Sequence, residues 1–167
     1  MLSSEDLTAL AQAQAALVRS LTIAAPAPAG FDPQLVSLSA HALFKKRVRT
    51  VARIWPQLVA ALGEHYEERF QQYALKHPLP RHGGPLADGR FFARHLDEIH
   101  ALPEAGRWEA FTVDLHHVMR LDGLHQRRGL YCRAARFPQL RLLALAVRFP
   151  GLGARLFTLP YGTAKSA

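Results

Sequence analysis

The stretch from residue 32 to residue 78 most constrains the fold, because its apolar residues recur at helical spacing and helix breakers divide it. Asp32 can accept a hydrogen bond from an N–H of the first helical turn, and Pro33 fits the first position because its missing N–H would have no partner there. Pro56 must interrupt the helix that begins at this point. The stretch therefore predicts three successive helices, of which the second is short.

Helical and strand patterns divide the rest of the chain. One helix is predicted before residue 23, and two more follow a glycine-rich loop, the first capped by Asp88 or a near neighbour and the second started by Pro103. The helical part ends near residues 121–123. From residue 142 apolar side chains alternate along a hairpin, and residues 130–134 supply a third strand. We therefore predict a mainly α protein with five or six helices and a small C-terminal antiparallel β-hairpin or three-stranded sheet.

These patterns also predict how the chain is organised. We expect a helical domain over residues 1–122, a basic β-hairpin appendage over residues 123–162 packed on it, and a frayed tail over residues 163–167. The apolar runs are too short to span a bilayer, and the N-terminus lacks the order of a secretory signal. This predicts a soluble, cytoplasmic protein that makes no contact with membranes.

The positive charge is concentrated near the C-terminus. The region from residue 120 onward holds nine of the 21 basic residues and one of the 13 acidic residues, so it carries the whole net charge of +8. Arginines that alternate with strand residues are suited to hold the acidic side chains of a peptide that adds itself to a sheet edge. The predicted peptide- or anion-binding residues are Arg127, Arg128, Arg133, Arg141, Arg148 and Arg155.

A second basic row offers an alternative. Lys45, Arg49 and Arg53 recur every fourth residue and therefore lie on one face of the predicted helix. Such a row can follow the phosphates of a nucleic acid, but the short turn and second recognition helix of a helix-turn-helix are missing. A solvated helix face is the simpler interpretation of this row.

The sequence offers little for catalysis. It has no Gly-x-Ser-x-Gly motif and no pair of carboxylates in an apolar setting, and its single cysteine, Cys132, has no evident histidine partner. His116, His117 and His125 with Asp114 form the tightest histidine cluster, but adjacent residues on a helix point about 100° apart. We therefore predict no catalytic residue, no metal site and no cofactor.

Several short motifs carry a resemblance to a known family. In order along the chain they are Trp55-Pro56, Leu62-Gly63-Glu64, the aromatic residues Tyr66, Phe70 and Tyr73, His77-Pro78, and Ala87-Asp88. Over roughly residues 5–100 the chain resembles the N-terminal helical domain of the partner subunits of multinuclear non-heme iron oxidases, such as the methanobactin-type partner proteins. Members of this family are often labelled as DNA-binding.

The resemblance implies a function as well as a fold. It implies a non-catalytic partner protein that binds a barrel-type multinuclear iron oxidase, its ribosomally made precursor peptide, or both, with the iron held by the oxidase. The C-terminal arginines predict that this precursor peptide is acidic. A nucleic-acid-binding protein that uses the basic helix at residues 45–53 and the C-terminal arginines is the alternative. A small enzyme is a third hypothesis.

Overall fold

The computed structural model describes residues 4–23 and 25–161. The chain forms two compact units. We call Met1–Arg53 with Glu64–Leu79 the helical unit, and Ile54–Gly63 with Pro80–Ala167 the mixed unit. The tail predicted at residues 163–167 lies outside the described residues.

The central helices form where the sequence predicts them. They are α2 (Pro33–Ile54), α3 (Pro56–Leu62) and α4 (Tyr66–Ala74), and a 3₁₀ turn at Gly63–His65 precedes α4. The predicted cap is present, because the N–H of Gln34 donates to Oδ1 of Asp32 over 2.8 Å. The prediction of three successive helices in this stretch is confirmed.

The helical unit contains α1 (Ser4–Ile23), α2 and α4, and aromatic side chains of α4 form its core. Phe70 is fully buried and Tyr73 is almost fully buried. Arg47 of α2 lies over both rings, with its guanidinium 5.5 and 5.6 Å from their centroids. Its Nη2 donates to the carbonyl oxygen of His77 over 3.0 Å, so this buried arginine is part of the packing.

The mixed unit combines three helices with two antiparallel sheets. Its helices are α3, α5 (Gly84–Glu98) and α6 (Glu104–His116). A two-stranded sheet pairs β1 (His117–Arg120) with β2 (Gly123–Gln126). A three-stranded sheet has the order β3 (Tyr131–Phe137), β4 (Leu142–Phe149) and β5 (Gly153–Pro160).

The predicted mainly α class is therefore wrong. The structure describes five strands in two sheets, so the C-terminal region is a β structure in its own right and the chain is of the α+β type. The first sheet was missed because Val118 and Met119 continue the helical spacing of α6, whereas the backbone becomes extended at His117. Tertiary contacts favour this change, since the N–H of Leu124 donates to the carbonyl oxygen of His82 over 3.1 Å.

The predicted start of α5 is also wrong. Asp88 lies fully buried inside the helix, which begins at Gly84 after Gly83. Gly83 has a φ of 87°, a left-handed conformation that favours glycine. A side chain there would also crowd Ala87 and Leu124, so the glycine pair shapes the entry into the helix.

A buried carboxylate on α6 caps the start of α3. Oε2 of Glu109 accepts a hydrogen bond from the N–H of Leu58 over 2.8 Å, and its Oε1 accepts a longer one from Gln57. Burial raises the pKa of the Glu109 carboxyl above its ordinary value, and the two backbone donors only partly oppose this.

This cap predicts a pH-dependent stability. Because the folded pKa of Glu109 is raised, the folded state binds more protons than the unfolded state between the ordinary and the raised value, so the contribution of Glu109 to the free energy of unfolding falls as pH rises through that window. We expect Glu109→Gln, which keeps an acceptor oxygen, to become more favourable relative to the wild type between pH 4 and pH 7. Urea titrations at both pH values measure this. A difference between the two proteins that does not change with pH would contradict it.

Candidate functional site

The three-stranded sheet has one covered face and one open face. On the inner face Phe137, Ala144 and Ala146 are buried and form a core with Phe111 and Leu115 of α6. The outer face is formed by the alternate residues. Since cross-strand partners share a face, the register pairs Leu143 with Leu159 and Leu145 with Phe157 there.

The outer face is apolar and open to solvent. Four of its large side chains, Leu143, Leu145, Phe157 and Leu159, are between 39% and 64% exposed. They line a shallow depression of about 640 Å³. One end is bordered by Arg136, whose Nε donates to the hydroxyl of Tyr161 over 2.9 Å. An exposed cluster of this kind on neighbouring strands is typical of an interaction surface.

The backbone of β5 has an open edge, since the described residues place no strand beside it. The N–H of Tyr161 donates to the carbonyl oxygen of Arg141 over 3.0 Å, so these two form a hydrogen-bonded pair. Hydrogen-bonded and non-hydrogen-bonded pairs alternate along antiparallel strands, so odd-numbered residues of β5 point their polar groups toward β4. The outward-pointing N–H groups belong to Ala154, Leu156 and Thr158, and Pro160 ends the series because it has none.

A second depression runs along the inner side of this edge. It has a volume of about 420 Å³ and lies between β5 and α6. Its lining includes Leu86, Val113, His116, His117, Ala154 and Leu156. The open edge of β5 is therefore flanked by mostly apolar surface on both faces of the sheet, which suits the addition of a strand.

A buried ion cluster stands behind the inner face. Arg90 holds both oxygens of Asp114 over 2.8 and 2.9 Å, and Nη1 of Arg133 reaches the same carboxylate over 3.2 Å. The carboxylate of Asp114 thus forms ion pairs with two arginines. Nε of Arg127 donates to its backbone oxygen over 2.9 Å.

Arg148 places a positive charge close to His116, which lines the inner depression. Nε of Arg148 is buried, and it has no hydrogen-bond partner in the part of the chain that the structure describes. The pKa of His116 lies below its ordinary value, first because of burial and then because of the charges of Arg148 and His117.

The structure separates the arginines that the sequence predicts to act together. Arg133 and Arg148 lie on the inner face, whereas Arg155 pairs with Val147 on the outer face. Arg141 occupies the turn before β4, with a φ of 50°. Arg127 lies 4.0 Å over the ring of Tyr131. Arg128 lies in the loop that follows β2, beside a further depression.

The sequence-based site did not include the apolar residues of the sheet. Leu143, Leu145 and Phe157 were predicted only as strand residues, and Leu156 and His116 were given no shared role. Alternation in the sequence shows that Leu145 and Ala146 face opposite sides of the sheet, but not which side α6 covers. The signal for an open edge was present in Pro160, which suits an edge strand.

The alternative basic row lies on α2 in the helical unit. Lys45 forms an ion pair with Glu67 of α4, which partly neutralises it. Nε of Arg49 donates to the backbone oxygen of Lys45 over 3.2 Å. Arg53 is exposed in the last turn of the helix.

The histidines considered as metal ligands have separate partners. Nε2 of His125 lies 2.9 Å from Asp122, and Nδ1 of His117 lies 3.3 Å from the backbone oxygen of Val113. Among residues 4–23 and 25–161, no group of three or more His, Cys, Asp or Glu side chains is placed to hold a metal ion. None of the helices in these residues has an apolar stretch that could span a bilayer.

These features define a two-unit α+β protein with an open, apolar sheet edge. Residues 11–98 match the family described as SCO6045-like, C-terminal domain. Since this match covers more than half of the chain, the chain belongs to that family. The three-stranded sheet lies beyond the matched residues.

One similar protein is much longer than this chain. The chain is 42% identical over 87 residues to a UPF0276 protein of Streptomyces avermitilis, which is 52% of this chain and 18% of that protein. The chain thus spans less than a fifth of the length of that relative. No solved structure matches the chain. The comparisons give no evidence of a relationship to partners of iron oxidases, so that part of the resemblance stays a prediction.

Proposed function

We propose that this chain is a non-catalytic partner protein that binds an extended, acidic precursor peptide at the open edge of β5 and presents it to a separate iron-dependent peptide-modifying oxidase. The observation that carries the proposal is the edge itself. Its outward N–H groups at Ala154, Leu156 and Thr158 can pair with an added strand, and apolar surface flanks it on both faces.

Strand addition explains why such an edge is left open. An exposed, apolar edge is a template for unwanted pairing, and proteins commonly cover or charge it. Here β5 carries one charged residue, Arg155, and its remaining side chains are small or apolar. Backbone pairing would supply the sequence-independent part of the affinity, and the two flanking faces would select alternate side chains of the peptide.

The proposed oxidase partner rests on the family resemblance and on the organisation of the Streptomyces relative. Most of that UPF0276 protein lies outside the region that matches this chain, so a domain of this kind occurs joined to a larger polypeptide. Domains that are joined in one protein often act together when they occur on separate chains. We propose that the partner resembles the remaining part of that relative.

Leu156→Pro tests the peptide-binding site. The substitution removes an outward N–H from β5 while the bonds of the odd-numbered residues to β4 remain, because proline is tolerated at an edge. With 12-residue peptides selected from a random phage-displayed library on the full chain, we expect binding at least tenfold weaker by calorimetric titration. Hydrogen exchange should show that the selected peptides protect the amides of β5.

The matched control is Leu156→Ala, which keeps the N–H and shortens the side chain. It should lose less affinity than the proline variant, and both should retain the far-ultraviolet circular dichroism of the wild type. Equal affinity of the proline variant and the wild type would rule out strand addition at β5. Tight, salt-steep binding of random duplex DNA that Lys45→Glu with Arg49→Glu abolishes would favour the nucleic-acid alternative.

A further inference from the structure

We infer that the strand bound at β5 carries an aspartate or glutamate opposite Ala154, and that Arg148 and His116 hold its carboxylate on the inner face of the sheet. This inference rests on the proposed function, and it adds a specificity rule. The site selects a peptide by one acidic residue at a defined register position.

The register places the two side chains in one row. Arg148 of β4 is the direct partner of Ala154 of β5, so both lie on the inner face. A residue added opposite Ala154 would share that face. Neighbouring strands lie about 4.8 Å apart, so two steps separate the added residue from Arg148 by roughly 10 Å at Cα.

Because Ala154 has a small side chain, Arg148 and the added acidic residue can reach each other across it. Ala154 is partly buried against the core, and it lines the inner depression together with His116. An arginine and a glutamate extended toward each other can span such a gap across a single alanine. A larger side chain at position 154 would block the path.

The positive charge of Arg148 favours binding of an anion. Its buried Nε has no acceptor in residues 4–23 and 25–161, and an unmade hydrogen bond of a buried donor is costly. The nearby carboxylate of Asp114 is already held by Arg90 and Arg133. An incoming carboxylate would compensate the positive charge of Arg148.

The pKa of His116 can report on the bound carboxylate. It would not change on peptide binding if Arg148 had only a structural role. Burial and the charges of Arg148 and His117 lower the pKa of His116 in the free protein. Asp114 on the same helix and Arg133 on β3 are bound to each other, so the added carboxylate would be the new charge. It should raise the pKa of His116 toward or above its ordinary value.

The experiment uses peptides selected on the full chain, each compared with its Glu→Gln or Asp→Asn analogue. We expect the neutral analogue to bind the wild type roughly tenfold to a hundredfold more weakly, as for a charge-assisted hydrogen bond that is shielded from water. On Arg148→Gln the two peptides should bind about equally. Arg148→Lys, which keeps the charge, should preserve part of the discrimination.

Arg155→Gln is the matched control, because position 155 is adjacent to Ala154 but faces the outer side of the sheet. It should keep the discrimination at the inner carboxylate. Imidazole resonances of His116 followed by NMR should show a higher pKa with the acidic peptide than with the neutral one. If acidic and neutral peptides bind at β5 with equal affinity, this inference is wrong while the proposed function stands. If no selected peptide protects β5, both are wrong.

Discussion

Replacing Asp114 with alanine should destabilise the mixed unit by about 3 to 5 kcal/mol, the usual cost of leaving one member of a buried ion pair alone. Arg90 is 14% exposed in its side chain and donates twice to this carboxylate. Without Asp114 its charge is left with little access to water. The cluster also joins α5, α6 and β3, so its loss would loosen the helices from the sheet.

Urea unfolding followed by tryptophan fluorescence measures this loss in the mixed unit alone, because both tryptophans, Trp55 and Trp108, belong to it. Arg133→Gln is the control. Its side chain is 51% exposed, so its bond to Asp114 should contribute only about 0.2 to 1 kcal/mol.

A double variant separates the buried charge from the lost contact. Asp114→Leu with Arg90→Met replaces both charges with apolar groups and should lose much less stability than Asp114→Ala, since a removed pair leaves no isolated charge. An Asp114→Ala protein as stable as the wild type would contradict the structural role of the cluster.

The helices could be predicted where local chemistry determines them. Asp32 caps α2 and Pro56 begins α3, and neither depends on distant parts of the chain. The prediction failed where distant contacts prevail over local preference. At Asp88 the local signal indicates a cap, but the loop at Gly83 lets the helix begin one turn earlier.

The candidate site was only partly predictable for a similar reason. Alternation identified β4 and β5, and of the predicted arginines Arg133, Arg148 and Arg155 lie on strands. The other three lie in the loops and turns between strands: Arg127, Arg128 and Arg141. Which side α6 covers follows from the fold, and that places Arg148 on the inner face and Arg155 on the outer face of the sheet. The buried setting of Arg47 was also hidden, because its neighbours Lys45 and Lys46 make it look like part of a solvated basic face.

Residues of the motifs that carry the family resemblance are buried and pack in the cores of the two units. Trp55, Phe70 and Ala87 are fully buried, and the ring of His77 stacks on Tyr73 with centroids 4.6 Å apart. Residues used for packing identify an architecture rather than a binding site. The proposed peptide site lies outside them, so its specificity can differ among proteins that share the motifs.

Gly89→Ala should therefore destabilise the mixed unit. We expect its free energy of unfolding to fall by about 3 kcal/mol. Gly89 is buried in α5 directly beneath the indole of Trp55, and an added Cβ would overlap its Cδ1 and Nε1 atoms. Trp55 is fully buried and its Nε1 donates to the carbonyl oxygen of Leu86 over 3.3 Å. The ring cannot move away without losing both its packing and this bond.

The sign of the change in the free energy of unfolding shows whether packing or helix propensity dominates at Gly89. In an exposed helix the same change would stabilise by up to about 1 kcal/mol, because glycine is the poorer helix former. Gly129→Ala is the control, since nothing lies within 4 Å of the added Cβ, and its effect should stay within about 0.5 kcal/mol. Urea unfolding with near-ultraviolet circular dichroism would report both stability and the setting of the indole. A more stable Gly89→Ala protein with an unchanged indole signal would show that Trp55 does not pack against α5 in this way.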